Sequence, residues 1–192
     1  MSLILFFETQ EGVLLSGDSR LTYPQTGKYV DKTYKVFCYD NRIGIAFHDS
    51  ADIDGKPMDQ ILQEFADHPK SNPTVKEVAC SLRNHIRKQK EDLATAFYVM
   101  GYDDGKRQIY KINLSEKEFV DWSDKVHGSG GDDDVAWPCI EGHYAEHETV
   151  EKALGFIERI YHESSKKIIT IGGDIDILLI RRTGNAVWKK RK

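Results

Sequence analysis

Ser2 stands directly ahead of Leu3-Ile4-Leu5-Phe6-Phe7, so a small hydroxyl residue heads an unbroken apolar run. Ser2 is small enough for an aminopeptidase to remove Met1, and the exposed terminus would then carry a hydroxyl and an α-amine on one residue, nucleophile and base together. Chain ends are normally loose, but this run predicts a buried strand that anchors the site. Lys35 is the second residue of interest. An extended segment over 32–39 puts Thr33, Lys35, Phe37 and Tyr39 on one face and Tyr34, Val36 and Cys38 on the other, and a lysine on an apolar face is costly unless paired. Asp18, at the end of the strand containing Val13-Leu14-Leu15, is the obvious partner. A Lys35–Asp18 pair beside Ser2 would set a fixed positive charge near the terminal amine and lower its pKa from about 8, leaving more free base at neutral pH. The same residues also suit plainer roles, since Asp18-Ser19-Arg20 fits a turn and Lys35 can snorkel to solvent. Gly128-Ser129-Gly130-Gly131 lets backbone N–H groups approach a site closely with the Ser129 hydroxyl as a relay, or serves as a flexible loop.

The elements that must position these residues follow from periodicity. Residues 2–9 and 12–20 read as a hairpin about Gln10-Glu11-Gly12, and 32–39 and 42–48 as a second about Asp40-Asn41, after a loop with Pro24 and Gly27. Helical spacing appears in Met58-Ile61-Leu62-Phe65 and, after Pro73, in Val75, Val78, Ala79, Leu82 and Ile86. Strands return at 95–102 and 107–113 about Asp103-Asp104-Gly105, and near Phe119 to Lys125. Two more helices are predicted, one including Tyr144 and one opening at Thr149 with Ala153, Leu154, Ile157 and Ile160. Strands at 168–171, 175–180 and 186–188 close the chain. Both sheets carry apolar runs on both faces, which predicts an α/β (α+β) four-layer αββα sandwich of two stacked, mainly antiparallel sheets covered by helices. With 192 residues and no linker or repeat, residues 1–192 are expected to form a single domain.

Bulk properties narrow the function classes. The 27 basic and 31 acidic residues give a net charge of -4 spread along the chain, which argues against nucleic acid or an anionic membrane as partner. Cys38, Cys80 and Cys139 form no CxxC and suit a reducing cytoplasm, as small core residues rather than disulfides or zinc ligands. The opening apolar run stops at Glu8 without a basic leader or cleavage site, and no run approaches the roughly 18 apolar residues a membrane helix needs. A soluble cytoplasmic protein is expected. His143 and His147 have helical i, i+4 spacing but lack a third ligand, so they read as helix surface and no metal or other cofactor is expected. Asp132-Asp133-Asp134 suits the dipole of a following helix, with Pro138 kinking that helix or marking its start. Lys189 to Lys192 reads as a solvated basic tail.

Together these residues resemble the proteasome β-subunit and HslV-like family of N-terminal nucleophile (Ntn) hydrolases over nearly the whole chain. Gly12-Val13-Leu14-Leu15-Ser16-Gly17-Asp18-Ser19-Arg20-Leu21-Thr22 is similar to the family's second strand, with its acid, its arginine and its substrate-binding threonine. Asp31-Lys32-Thr33-Tyr34-Lys35-Val36-Phe37 resembles the segment bearing the catalytic lysine, and Asp40-Asn41-Arg42-Ile43-Gly44 the hairpin after it. Gly128-Ser129-Gly130 is similar to the GSG turn, Ile140-Glu141 through Tyr144 and Thr149-Val150-Glu151-Lys152-Ala153-Leu154 to the two helices behind it, and Gly172-Gly173-Asp174-Ile175-Asp176-Ile177 to the GG-x-ID segment. The resemblance implies an Ntn-hydrolase fold and a threonine-peptidase-type hydrolase with catalytic Ser2, Asp18, Lys35 and Ser129. It implies substrate binding by Arg20, Thr22, Asp49, Gly128 and Gly130. It further implies peptide or unfolded-protein substrates, a homo-oligomeric ring and an AAA+ ATPase partner.

The chain departs from the family at three places. Serine replaces threonine at position 2 and loses the methyl that restricts the rotamer. Ile168 and Ile171 stand where eukaryotic and archaeal members carry an Asp and a Ser, a pattern from which the bacterial HslV branch also departs. Asp49, in Phe47-His48-Asp49-Ser50, stands where the family has the glycine whose N–H stabilises the oxyanion. Two further readings therefore accompany peptide hydrolysis: a non-catalytic structural or binding homologue, and a small-amide hydrolase on the same fold.

Overall fold

Residues 2–22, 28–140 and 148–191 are described by the computed structural model. The first elements are β1 (Leu3–Glu8), β2 (Gly12–Asp18), the short β3 (Arg20–Thr22) and β4 (Tyr29–Asp31), β5 (Val36–Tyr39), β6 (Ile43–Asp49), β7 (Asp52–Ile53) and β8 (Lys56–Pro57). Helices α1 (Met58–Asp67) and α2 (Val75–Gln89) follow, then β9 (Thr95–Asp103), β10 (Lys106–Asn113), β11 (Glu118–Asp121) and β12 (His127–Gly131). The chain continues through α3 (Ala136–Ile140), α4 (Val150–Lys167), β13 (Ile175–Arg181) and β14 (Ala186–Lys190). One large sheet has the order β12-β1-β2-β13-β14 and the other β11-β10-β9-β6-β5.

The two sheets stack, and each is covered by a pair of helices, giving the four-layer αββα sandwich. Strand alternation builds the layers. Ile4 and Phe6 of β1 join Leu15, Ala46, Tyr98 and Leu178 between the sheets, while Leu3, Leu5 and Phe7 point the other way onto α3 and α4. Both faces of β1 are therefore buried, which explains the unbroken apolar run. At roughly 1.5–3 kcal/mol per buried Leu, Ile or Phe side chain, this strand is among the least free to fray. The third core lies between the second sheet and the faces of α1 and α2 that carry Ile61, Leu62, Val78 and Leu82. Helix α2 begins where the sequence sets a capping box: the Thr74 side chain accepts from the Glu77 N–H, and the Glu77 side chain accepts from the Thr74 N–H. Thr149 caps α4 in the same way through the Lys152 N–H. None of the described helices is long and apolar enough to cross a membrane.

Three expected elements differ. The run at 168–171 is a turn rather than a strand: α4 ends at Lys167, Ile171 N–H closes back on the Ile168 carbonyl at 3.1 Å, and Ile171 is drawn into the core. The strand expected over 32–39 starts only at Val36, because Thr33 N–H is taken by the Ser19 carbonyl at 3.0 Å and Lys35 turns towards Asp18. Residues 127–131, read as a glycine turn or loop, form an edge strand along β1. Pro138 sits in the first turn of α3, where a missing N–H costs nothing. The helix expected around Tyr144, the His143 and His147 pair, and the loop residues Pro24 and Gly27 lie outside the described residues.

Candidate active site

The head of β1 is held by backbone contacts from three sides. The Leu3 N–H donates to Asp18 Oδ1 at 3.0 Å, and the Asp132 N–H donates to the Ser2 carbonyl at 2.8 Å. From α4 the Tyr161 hydroxyl donates to the Leu3 carbonyl at 2.9 Å and lies 3.4 Å from Ser16 Oγ. Complete burial, reinforced by the nearby Asp18 charge, holds the Tyr161 phenol well above its ordinary pKa, so it is a neutral donor. Ser2 itself is 4% exposed.

Asp18 and Lys35 form the electrostatic centre. The Lys35 ammonium lies 2.9 Å from Asp18 Oδ1, the same oxygen that receives Leu3 N–H, and also donates to the Arg20 carbonyl. Asp18 Oδ2 accepts from the Arg20 and Gly172 N–H groups, each at 3.2 Å. Both carboxylate oxygens are thus satisfied, which a buried charge requires. Burial pulls the Lys35 ammonium below its ordinary pKa, and the charge and hydrogen bond of Asp18 only partly offset that pull.

Arg20 closes the back of the centre. Its guanidinium forms a fork on Asp31 (2.7 and 2.8 Å), donates to the carbonyls of Ile169 (3.0 Å) and Ile171 (3.4 Å), and stacks 3.9 Å from the Tyr29 ring. The hydrogen bonds it donates to Asp31 hold its pKa above the ordinary value, against the opposing effect of burial. This side chain is committed to the protein and fixes the turn at 168–171. Thr22, at the end of β3, has a buried hydroxyl with no partner among the described residues.

Register decides which residue of the glycine segment meets Ser2. Leu3 pairs with Gly131 and Leu5 with Ser129, so Ser129 lies three residues along β1 from Ser2. It shares the helix-facing side of Leu5, and its hydroxyl donates to Asp133 Oδ2 at 3.0 Å. The structure does not bring Ser129 to Ser2; the neighbour it supplies is Asp132, whose carboxylate accepts from the Thr170 hydroxyl in the turn after α4. Gly128 and Gly130 face inward instead. A Cβ on Gly128 would lie 2.3 Å from the Phe6 ring, and one on Gly130 would lie 2.0 Å from the Tyr98 hydroxyl. Close packing between the sheets explains both glycines.

Asp49 ends β6 with φ of +84°, a left-handed conformation that favours glycine. Its N–H direction follows from the ladder. Phe47 N–H donates to the Lys35 carbonyl on the β5 side, so two residues on, the Asp49 N–H points to the same edge, beyond the start of β5. On the other side Asp49 pairs with Thr95, whose carbonyl is turned away to the Leu114 N–H. A backbone donor directed to that edge can stabilise a developing oxyanion. The Asp49 carboxylate is pushed up by burial, but contact with the His48 ring and its charge outweigh this and hold it below the usual range.

Tyr161, Asp132 and Thr170 were not expected from the sequence. Tyr161 follows Ile157 at i+4 on the buried face of α4, so helical spacing could have found it; Asp132 needed the β1–β12 register, and Thr170 needed the turn.

The chain matches the family described as Proteasome subunit over residues 4–180. No curated protein sequence matches it. Among solved structures, Anbu from Hyphomicrobium sp. strain MC1 is similar with a TM-score of 0.77 and 13% identity, covering 97% of this chain and 86% of that one. The Anbu (Gly-1) mutant from the same organism is similar with the same score and identity, covering 97% of this chain and 85% of that one. At this identity the likeness is one of fold.

Proposed function

The chain belongs to the proteasome subunit family, and from that premise we propose that it is a peptide-bond hydrolase whose nucleophile is Ser2 in a chain that begins at Ser2. The Ser2 α-amine takes the hydroxyl proton as Oγ attacks the peptide carbonyl, and the tetrahedral oxyanion takes a hydrogen bond from the Asp49 N–H. The amine then passes its proton to the departing amine of the peptide, leaving an ester on Ser2. Water hydrolyses the ester, with the amine again as base. Lys35 is the tuning charge: a cation that shares Asp18 Oδ1 with the Leu3 N–H disfavours the protonated form of the neighbouring amine. Asp132 and Thr170 hold the Ser2 backbone in place.

The observation that carries this reading is the sharing of Asp18 Oδ1 by the Leu3 N–H and the Lys35 ammonium. One carboxylate thereby fixes the position of residue 2 and of the cation that acts on it. The substrates are peptides or unfolded protein, processed in a homo-oligomeric ring of single-domain subunits in the cytoplasm, with an AAA+ ATPase as partner. The test is hydrolysis of fluorogenic peptides by protein with a verified Ser2 terminus. Turnover that disappears in Ser2→Ala is expected; turnover unchanged in Ser2→Ala refutes the assignment.

Asp49 favours a second reading, a non-catalytic homologue that keeps the sandwich, because a carboxylate stands on the residue that donates to the oxyanion. Under that reading the processed wild type is inert.

A further inference from the structure

We propose that His48 is a positioning residue for the oxyanion site: it draws the Asp49 carboxylate aside, so that the Asp49 N–H serves a developing negative charge without opposing it. The proposal rests on Ser2 as nucleophile and on the Asp49 N–H as donor.

The geometry lies at the end of β6. His48 Nδ1 is 2.8 Å from Asp49 Oδ2, a short polar contact between neighbouring side chains. The opposite ring atom, Nε2, is 3.2 Å from the Tyr98 hydroxyl. Tyr98 is buried between the sheets, and desolvation keeps its phenol protonated. The His48 ring is therefore held at both nitrogens, by a fixed phenol on one side and the Asp49 carboxylate on the other.

Its surroundings tie it to the head of β1. A Cβ on Gly131 would meet the Ser2 carbonyl at 1.8 Å and His48 Cβ at 3.5 Å, so His48 and Ser2 flank one glycine. Gly130 leaves the room in which His48 Nε2 and the Tyr98 hydroxyl meet. The strand carrying these two glycines thus joins Ser2 to His48, and His48 adjoins Asp49 in sequence. An acid at a left-handed position costs backbone strain and places a negative charge beside an electrophilic site. A histidine immediately before it, locked by a buried tyrosine, supplies the counterweight.

The two ring nitrogens can be tested separately. Asn at position 48 places its amide nitrogen where Nδ1 stands and keeps the contact with Asp49, whereas Gln reaches towards Tyr98 and gives that contact up. For a fluorogenic peptide, His48→Gln is expected to lower kcat about tenfold or more with KM little changed. His48→Asn should lose less, and Asp49→Gly added to His48→Gln should restore most of the loss, because glycine suits the backbone and removes the charge. A purely structural histidine gives no such rescue. Equal losses in both single variants, or no recovery in H48Q/D49G while the wild type is active, overturns the role of His48 alone. An inert wild type with a verified Ser2 terminus overturns the nucleophile assignment and this proposal together.

Discussion

Lys35 Nζ lies 2.9 Å from Asp18 Oδ1 with both side chains 1% exposed, so an ion pair joins the two sheets at the head of the terminal strand. Removing one partner of a buried pair leaves an uncompensated charge, at a cost of about 3–5 kcal/mol. Lys35→Met is therefore expected to shift the urea midpoint strongly downward, and Asp18→Asn in the same background should recover part of the loss. An unchanged midpoint in K35M would show that the pair does not hold the sheets.

Gly130 faces the Tyr98 hydroxyl, and an added Cβ there would sit 2.0 Å from it. Gly130→Ala should destabilise by about 1–3 kcal/mol or more, as overpacking does. Tyr98→Phe in that background should return part of the stability by removing the oxygen. Thermal unfolding of the two variants checks this; a neutral G130A contradicts the packing account.

These glycines also mark how far the sequence could be read. The four layers were legible because β1, α2 and α4 write their burial directly, as a continuous apolar run and as i, i+3, i+4 spacing, with Thr149 opening the last helix. The pairing of Asp18 with Lys35 was legible too, since a lysine in an apolar setting demands an acid. The glycine segment was not, because glycine signals a turn locally, and only the Phe6 and Tyr98 side chains of other strands explain a strand there. The β-branched run at 168–171 misled for a similar reason: Arg20, far away in sequence, takes two of its carbonyls and bends it into a turn. The neighbour of Ser2 depended on strand register, which shifts by single residues and leaves no local mark.

Asp49 gives a pH-dependent expectation. Its carboxyl is held below the usual range, so the native state binds fewer protons than the unfolded chain between that depressed value and about 3.9. The stabilisation from His48 is present above about pH 3.9 and is lost as pH falls through the depressed value. Asp49→Gly forfeits this contact but relieves the left-handed backbone. Its stability relative to wild type should therefore improve as pH is lowered through that window. Denaturant titrations at several pH values test this, and a pH-independent difference contradicts it.

Tyr161 anchors β1 from behind. Tyr161→Phe removes the hydroxyl that satisfies the Leu3 carbonyl and should cost about 1–2 kcal/mol. Because the strand carries Ser2, peptide turnover should fall as well. Hydrogen exchange at Leu3 to Leu5, faster in the variant, distinguishes a loosened strand from a general loss of stability; unchanged protection there contradicts the anchoring role.

Covalent capture at residue 2 decides whether Ser2 is the nucleophile. A peptide epoxyketone has two electrophilic centres and takes up a hydroxyl and an amine only when both belong to one residue. Protein whose intact mass shows a Ser2 terminus is treated with it and mapped by mass spectrometry. A single adduct on Ser2 is expected, absent from Ser2→Ala and from chains that retain Met1. A processed wild type that remains unmodified at Ser2, and that cleaves no peptide, contradicts it.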